Sequence, residues 1–194
     1  MRNSEKIRFL VFTTLFGVFW GAAEAFLGSY LHMVHFPFRG ALMAGFGASV
    51  MCIERFYTPR IGATMATGLA ALCVKLISIG GFKLGPVAGI LIEGMMVELA
   101  LSLFGTRRWS LLLACVLCCL EGIPHFFIFN WVVYGQGIFA SYMAMIKSIQ
   151  DFFGLGENLW RYIVLVWIGI HLLIGAAAGL FTIKVAKQLG KYES

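Results

Sequence analysis

Several ionisable side chains that could do chemistry lie inside the longest apolar stretches of this sequence. Glu121 and His125 are four residues apart, so on a helix they share one face. A carboxylate beside an imidazole can hydrogen-bond a ligand or exchange a proton with it. The whole set consists of Glu24, Lys75, Glu93, Glu98, Glu121, His125 and His171.

The composition indicates that these side chains lie within a membrane. Of the 194 residues, 60% are hydrophobic and 12% are charged, and the mean hydropathy is +0.89. A soluble domain is typically about 45–50% apolar and about 25% charged. The composition therefore excludes a secreted disulfide scaffold, a disordered tail and a nucleic-acid-binding module. It predicts an integral membrane protein that is embedded in the lipid bilayer.

Charged residues, prolines and glycines divide the chain into six apolar stretches, and a helix needs about 20 residues to cross a bilayer. Backbone polar groups in lipid must be paired internally, and period-two alternation is absent, so helices are predicted and a barrel is not. We predict an all-α fold with one six-helix transmembrane domain over residues 1–194. Its helices are expected at about 7–31, 40–56, 61–79, 86–105, 109–135 and 158–185.

The basic residues are distributed unevenly between the two sides of this arrangement. The predicted inner side carries Arg2, Lys6, Arg8, Arg55, Arg60, Arg107, Arg108, Lys184, Lys187 and Lys191. The predicted outer side carries Arg39, Lys83, Lys147 and Arg161. The positive-inside rule therefore predicts that both termini are cytoplasmic.

The longest connection, residues 136–158, has an amphipathic pattern. Its apolar residues recur at helical spacing and are Phe139, Tyr142, Met143, Ile146 and Ile149. We predict an amphipathic helix on the outer face, which is either a lid over a site or an ordinary interfacial connector.

Ionisable residues inside a membrane span are costly and mark functional positions by default. With a helical rise of about 1.5 Å per residue, most of the set falls in the outer half of its helix. We therefore predict a polar chamber that opens to the outside and binds a small ligand. Its predicted lining is Glu24, Lys75, Glu93, Glu121, His125, Asn130, Trp131, Tyr134 and Trp167.

The carboxylates of this chamber outnumber Lys75, which favours a ligand with a positively charged nitrogen. The tryptophan rings would suit a flat ligand through stacking and cation–π contact. Within the chamber, Glu93 and Lys75 are expected to form an ion pair across the third and fourth helices. The alternative interpretation is that the acids are protonated or paired and only hold the helices together.

A stripe of small residues follows the first predicted helix at Gly17, Gly21 and Ala25. Such a stripe allows another helix to approach closely. It therefore predicts either internal packing or a docking surface for a separate membrane subunit.

Motifs for other chemistry are missing from the sequence. It has no G-x-x-x-x-G-K-[ST] loop, so the chain itself is not expected to hydrolyse ATP. Cys115, Cys118 and Cys119 have a metal-like spacing, but no second Cys/His pair accompanies them, and we interpret them as apolar filler. The favoured interpretation includes no metal, no cofactor and no catalytic residue.

The chain resembles the substrate-binding S component of an energy-coupling factor (ECF) vitamin transporter over nearly its whole length. Among these S components, the chain is most similar to those for thiamine precursors. The segments that carry it are Pro37-Phe38-Arg39-Gly40, Pro59-Arg60-Ile61-Gly62-Ala63, Lys75, Gly80-Gly81, Gly85-Pro86, Ile92-Glu93-Gly94 and Glu98.

The resemblance implies a protein of the prokaryotic plasma membrane that binds a small nutrient from outside. Its partners would be a transmembrane coupling subunit and two ATPases, which would hydrolyse the ATP. The family's docking motif in helix one is Ala-x-x-x-Ala, and Gly17, Gly21 and Ala25 have comparable spacing here. The family's substrate-binding regions, carried onto this sequence, contain Glu93, Glu121, His125, Asn130, Tyr134, Trp167, His32 and His35.

Two other function classes stay open at this point. One is a small intramembrane enzyme that uses Glu121 and His125 as an acid–base pair. The other is a channel or assembly subunit without a ligand chamber.

Overall fold

The computed structural model describes residues 3–78, 84–135 and 137–189. These ranges consist of helices joined by short turns, with no strand in them. This confirms the all-α prediction for the described part of the chain. The helices, in chain order, are α1 (Asn3–Ala23), α2 (Ser29–Met33), α3 (Arg39–Tyr57), α4 (Ala63–Ile77), α5 (Leu84–Phe104), α6 (Arg108–Tyr134), α7 (Ile138–Phe153) and α8 (Trp160–Gln188).

Within the described ranges, four helical segments are long and apolar enough to cross a membrane, and they are Asn3–Met33, Leu84–Phe104, Arg108–Val133 and Tyr162–Gln188. The helix α4 is apolar but shorter, with 15 residues. The membrane character predicted by the composition is therefore present in the helices. The number of spans and the side of the termini stay predictions.

The first apolar stretch is a continuous helical segment with one irregularity. A π-helical turn over Glu24–Gly28 joins α1 to α2. The remaining long helices begin and end within three residues of the positions expected for them. The connection at 136–158 contains the helix α7, while the predicted break at Gly80–Gly81 lies outside the described residues.

The helix α3 lies at the centre and packs against α1, α4, α5, α6 and α8. Small residues on α3 allow the neighbouring helices to approach it closely. A methyl group at Gly47 would lie 2.5 Å from the Trp20 indole, and Trp20 itself is fully buried. The core around this contact also contains Met51, Cys52 and Cys115, so these cysteines fill apolar space.

Two glycines also bring α1 and α4 close together. A methyl group at Gly17 would lie 2.6 Å from the Thr67 carbonyl oxygen, and one at Gly21 would lie 2.7 Å from the Ala71 carbonyl oxygen. The small-residue stripe of α1 is thus an internal packing surface against α4 at these two positions, and Ala25 is half-buried beyond them.

Glu98 joins three helices near the start of α4. Its carboxylate is 2.9 Å from Arg55 Nη1 on α3. It also accepts hydrogen bonds from the backbone N–H of Gly62 at 2.8 Å and of Thr64 at 3.1 Å. A carboxylate at a helix N-terminus satisfies free N–H groups and interacts favourably with the helix dipole. Glu98 therefore has a structural role.

Candidate functional site

Five predicted site residues form a group where α4, α5 and α6 meet the π-helical turn, and we call Glu24, Lys75, Glu93, Glu121 and His125 the polar cluster. The first three are buried, and Glu121 and His125 are half-buried. Lys75 pairs with Glu24, and Glu121 contacts His125. Glu93 lies within electrostatic range of both Glu24 and Glu121. The structure therefore brings together five residues from four separate segments of the chain.

The π-helical turn brings Glu24 to Lys75. The Lys75 ammonium donates to the Glu24 backbone carbonyl at 2.8 Å and lies 3.6 Å from the Glu24 carboxylate. Single π-helical turns often occur at functional sites because they displace side chains from the regular helical register. The predicted pairing of Lys75 with Glu93 is wrong, since the turn places Glu24 against the lysine instead.

The helices α5 and α6 run antiparallel and place matching residues opposite each other. Gly85 faces the Phe129 ring, with 3.2 Å from an added methyl to Phe129 Cζ. One turn further along α5, Gly89 faces His125. One turn beyond that, Glu93 comes into electrostatic range of Glu121. The spacing of four residues on each helix produces this register.

Glu121, His125 and Phe129 occupy successive turns of one face of α6. His125 Nδ1 is 3.1 Å from Glu121 Oε1, a distance at which a ring N–H donates to a carboxylate. The His125 ring also stacks on Phe129, with ring centroids 5.7 Å apart and planes 8° apart. The predicted shared face of Glu121 and His125 is present, and it continues into an aromatic ring.

Glu93 differs from the other acids of the polar cluster, because its carboxylate has no nitrogen donor in the part of the chain that the structure describes. Its side chain is only 7% exposed, and its Oε2 atom has no hydrogen-bond partner among the described residues. A buried polar atom without a partner costs free energy, and such atoms are uncommon in native structures. Glu93 is therefore the cluster position where a bound molecule would supply the missing interaction.

A separate aromatic group surrounds Trp167, which is 5% exposed. The Trp167 ring is perpendicular to Phe127 and to His171, at 6.1 Å and 5.1 Å between centroids. His171 Nδ1 lies 2.8 Å from the Trp167 carbonyl oxygen, so this histidine is satisfied within its own helix. Phe38, from the connection before α3, completes the group.

The helix α7 covers this aromatic group. Met145, Ile146 and Ile149 are buried against it, whereas Phe139 is 75% exposed. The predicted amphipathic helix is therefore present. Of its predicted apolar stripe, Ile146 and Ile149 are buried, whereas Met143 is exposed like Phe139.

The remaining predicted site residues do not reach the polar cluster. Asn130 donates to the Phe126 carbonyl oxygen of its own helix at 2.7 Å. Trp131 is 61% exposed on another side of α6. Tyr134 is the last residue of α6, and its side chain lies outside the described part of the structure.

The histidines of the first connection lie at the surface. His32 and His35 are both exposed. His35 lines an open cleft of about 500 Å³ together with Lys147, Ser148 and Asp151 of α7. None of the residues of the polar cluster lines this cleft.

Sequence reasoning missed Gly85, Gly89 and Phe129 as parts of the site. The signal that could have found them is the spacing of four residues shared by Gly85, Gly89 and Glu93. Glycines on the helix face that carries a buried acid indicate that something approaches that face closely.

Two further findings bear on function. Within residues 3–78, 84–135 and 137–189, no group of three or more His, Cys, Asp or Glu residues is arranged to bind a metal ion. Comparison of the chain with protein-family models, with curated proteins and with solved structures found no match. Any functional assignment therefore depends on the sequence and on the geometry of the polar cluster.

Proposed function

We propose that this chain is the substrate-binding S component of an ECF-type importer. The observation that carries the proposal is the polar cluster, which contains three carboxylates and one lysine inside a bundle of membrane-type helices. A buried acidic site with an unpartnered carboxylate oxygen is suited to a ligand with a positively charged nitrogen. The length of the chain and its helical composition are compatible with this family.

The proposed cargo is a small nitrogen-containing vitamin or vitamin precursor, and a thiamine precursor is favoured by the resemblance. In this proposal, Glu93 and Glu121 face the ligand, His125 hydrogen-bonds it, and Phe129 extends the flat wall of the site. Trp167, which packs against Phe127 and His171, stabilises the neighbouring aromatic group instead of stacking on the ligand.

The proposed setting is the plasma membrane of a prokaryotic cell, with six spans and both termini in the cytoplasm. A transmembrane coupling subunit and two ATPases would supply the energy, so the chain would not be an enzyme itself. Gly17 and Gly21 pack against α4, and the proposal therefore does not use them for docking. Ala25 is half-buried and stays a candidate contact.

The experiment is affinity purification of the chain from its source cell in a mild detergent, followed by native mass spectrometry. We expect a bound molecule of a few hundred daltons, or a complex with a coupling subunit and two ATPases. A chain that is purified repeatedly with neither would contradict the proposal. An unrelated membrane protein purified in the same way controls for ATPases that bind nonspecifically.

The contact between Glu121 and His125 supports a second candidate, an intramembrane enzyme with an acid–base pair. At 3.1 Å, the imidazole and the carboxylate are close enough to move a proton between them. Turnover of a small amine by the isolated chain, lost in Glu121→Gln and without any ATPase present, would favour the enzyme over the transporter.

A further inference from the structure

The three carboxylates of the polar cluster differ in their partners. Glu24 Oε2 lies 3.6 Å from the Lys75 ammonium, and Glu121 Oε1 lies 3.1 Å from His125 Nδ1. Each of these two acids therefore has a nitrogen donor within the protein. Glu93 is the third acid and has none among the described residues.

The surroundings of Glu93 do not compensate its charge. The charged groups that act on it electrostatically are the acids Glu24 and Glu121, which carry the same sign of charge. The Cys118 thiol lies 3.7 Å from the Glu93 backbone carbonyl oxygen and so does not serve the carboxylate. A buried carboxylate is expensive without an opposite charge, and a bound cation would provide that charge.

The face of α5 beside Glu93 carries no side chain at residue 89, because this residue is a glycine. A methyl group at Gly89 would lie 3.9 Å from Glu93 Oε1 and 3.9 Å from His125 Cε1. Any larger side chain there would occupy the space between the carboxylate and the imidazole. The parallel stack of His125 on Phe129 gives this space a flat aromatic boundary.

We propose that Glu93, alone among the three acids, binds the positive charge of the ligand, and that the ligand is a small organic monocation with an N–H group. One unpartnered carboxylate requires one positive charge. The unpartnered Oε2 atom requires a hydrogen-bond donor, and the His125 ring favours a flat group next to the cationic nitrogen. This inference rests on the proposed function, since it specifies the ligand class of the same site.

The test is isothermal titration calorimetry on the full chain in a nonionic detergent, with three matched probes. Benzylammonium has a ring, one positive charge and N–H donors. Benzyl alcohol has the ring without the charge, and benzyltrimethylammonium has the charge without an N–H. We expect saturable binding of benzylammonium and at least about tenfold weaker binding of the other two, the ratio typical of one lost charge-assisted hydrogen bond.

Variants then assign the interaction to Glu93. Glu93→Gln keeps the shape but removes the charge, and should weaken benzylammonium binding by about tenfold or more. Glu5→Gln, at an exposed acid of α1, should leave the affinity unchanged. Gly89→Ala adds a methyl group at ordinary contact distance, so the fold should persist while the affinity falls. Gly169→Ala, where an added methyl contacts nothing within 4 Å, is its control.

Three results would each overturn this inference. The first is equal affinity of the wild-type chain and Glu93→Gln for benzylammonium. The others are binding of benzyl alcohol to the wild-type chain as strongly as benzylammonium, and no binding of benzylammonium to the wild-type chain. Purification of Glu93→Gln from the source cell separates this failure from that of the proposed function. ATPases retained by a variant with unchanged affinity would reject only the role of Glu93. A wild-type chain without ATPases or a bound nutrient would reject the transporter itself.

Discussion

At the scale of single residues, the role of a buried acid in this protein is decided by its neighbours. Glu93 and Glu98 lie on the same helix, α5, only five residues apart. Glu98 accepts hydrogen bonds from Arg55, Gly62 and Thr64, whereas the Oε2 atom of Glu93 has no partner among the described residues. Glu98 therefore stabilises the fold, and Glu93 is the acid that we propose for ligand binding.

Replacement of Glu98 tests the structural role. Glu98→Gln leaves the Arg55 guanidinium, which is buried, without its negative partner. We expect a loss of about 3–5 kcal/mol in the free energy of unfolding, the usual cost of breaking a buried ion pair. Unfolding in mixed micelles of increasing SDS content measures it, with Glu5→Gln as the exposed control. A loss within about 0.5 kcal/mol, which is typical of surface substitutions, would contradict the role.

At the scale of helices, contacts of the glycine backbone determine how closely α1 approaches α4. A methyl group at Gly21 would lie 2.7 Å from both the Ala71 carbonyl oxygen and Val74 Cβ. Because backbone atoms form part of this contact, the two helices must separate to admit the methyl. Gly17 makes the same kind of contact one turn earlier, so the pair of glycines fixes the position of α1.

Alanine substitutions of two glycines are expected to change the free energy of unfolding in opposite directions. Gly21→Ala should destabilise the protein by about 1–3 kcal/mol through overpacking. Gly169→Ala, inside α8 with open space around it, should stabilise the helix by up to about 1 kcal/mol. Both free energies of unfolding are measured by the same SDS titration. If Gly21→Ala proved as stable as Gly169→Ala, α1 would not pack against α4 in this way.

The attachment of α7 depends on a few apolar side chains. Ile149 is buried against the aromatic group of Phe38 and Trp167, so Ile149→Ala should weaken this contact by about 2–5 kcal/mol. Hydrogen–deuterium exchange should then become faster in the amides of α7 and stay unchanged in α3. Phe139→Ala, on the exposed face of α7, is the matched control. Unchanged exchange in Ile149→Ala would mean that α7 is held by other contacts.

At the scale of the whole molecule, the proposed topology can be tested by labelling from one side of the membrane. Lys147 on α7 and Lys187 on α8 are both exposed and are proposed to lie on opposite sides. In a Cys73→Ser background, a membrane-impermeant maleimide added to intact cells should label Lys147→Cys and not Lys187→Cys. Labelling of Lys187→Cys in intact cells would exclude a cytoplasmic C-terminal end for α8.

Much of the fold could be predicted from the sequence because lipid permits few choices. Runs of apolar residues must form helices to pair their backbone groups, and these runs end where charges, prolines and glycines accumulate. The helix α7 was also predictable, from spacing alone. The residues of its apolar stripe that are buried could not be predicted, since both faces carry apolar residues and only the position of Phe38 and Trp167 selects between them. Phe139 and Met143 are exposed as a result.

The site could be predicted only in part. The sequence by itself determined that Glu24, Lys75, Glu93, Glu121 and His125 lie within apolar helices, because a charge stands out in such a stretch. It also determined that Glu121 and His125 meet, since residues four apart on a helix are neighbours. Their contact at 3.1 Å requires no tertiary information.

Only the tertiary structure decided which acid has which partner. Glu24 and Lys75 are 51 residues apart, and the π-helical turn and the packing of α1 on α4 bring them together. That pairing takes the lysine away from Glu93 and leaves its carboxylate alone. The physical reason is that contacts within a helix follow from residue spacing, whereas contacts between helices depend on how their surfaces pack. The open position at Glu93 is therefore a property of the assembled bundle.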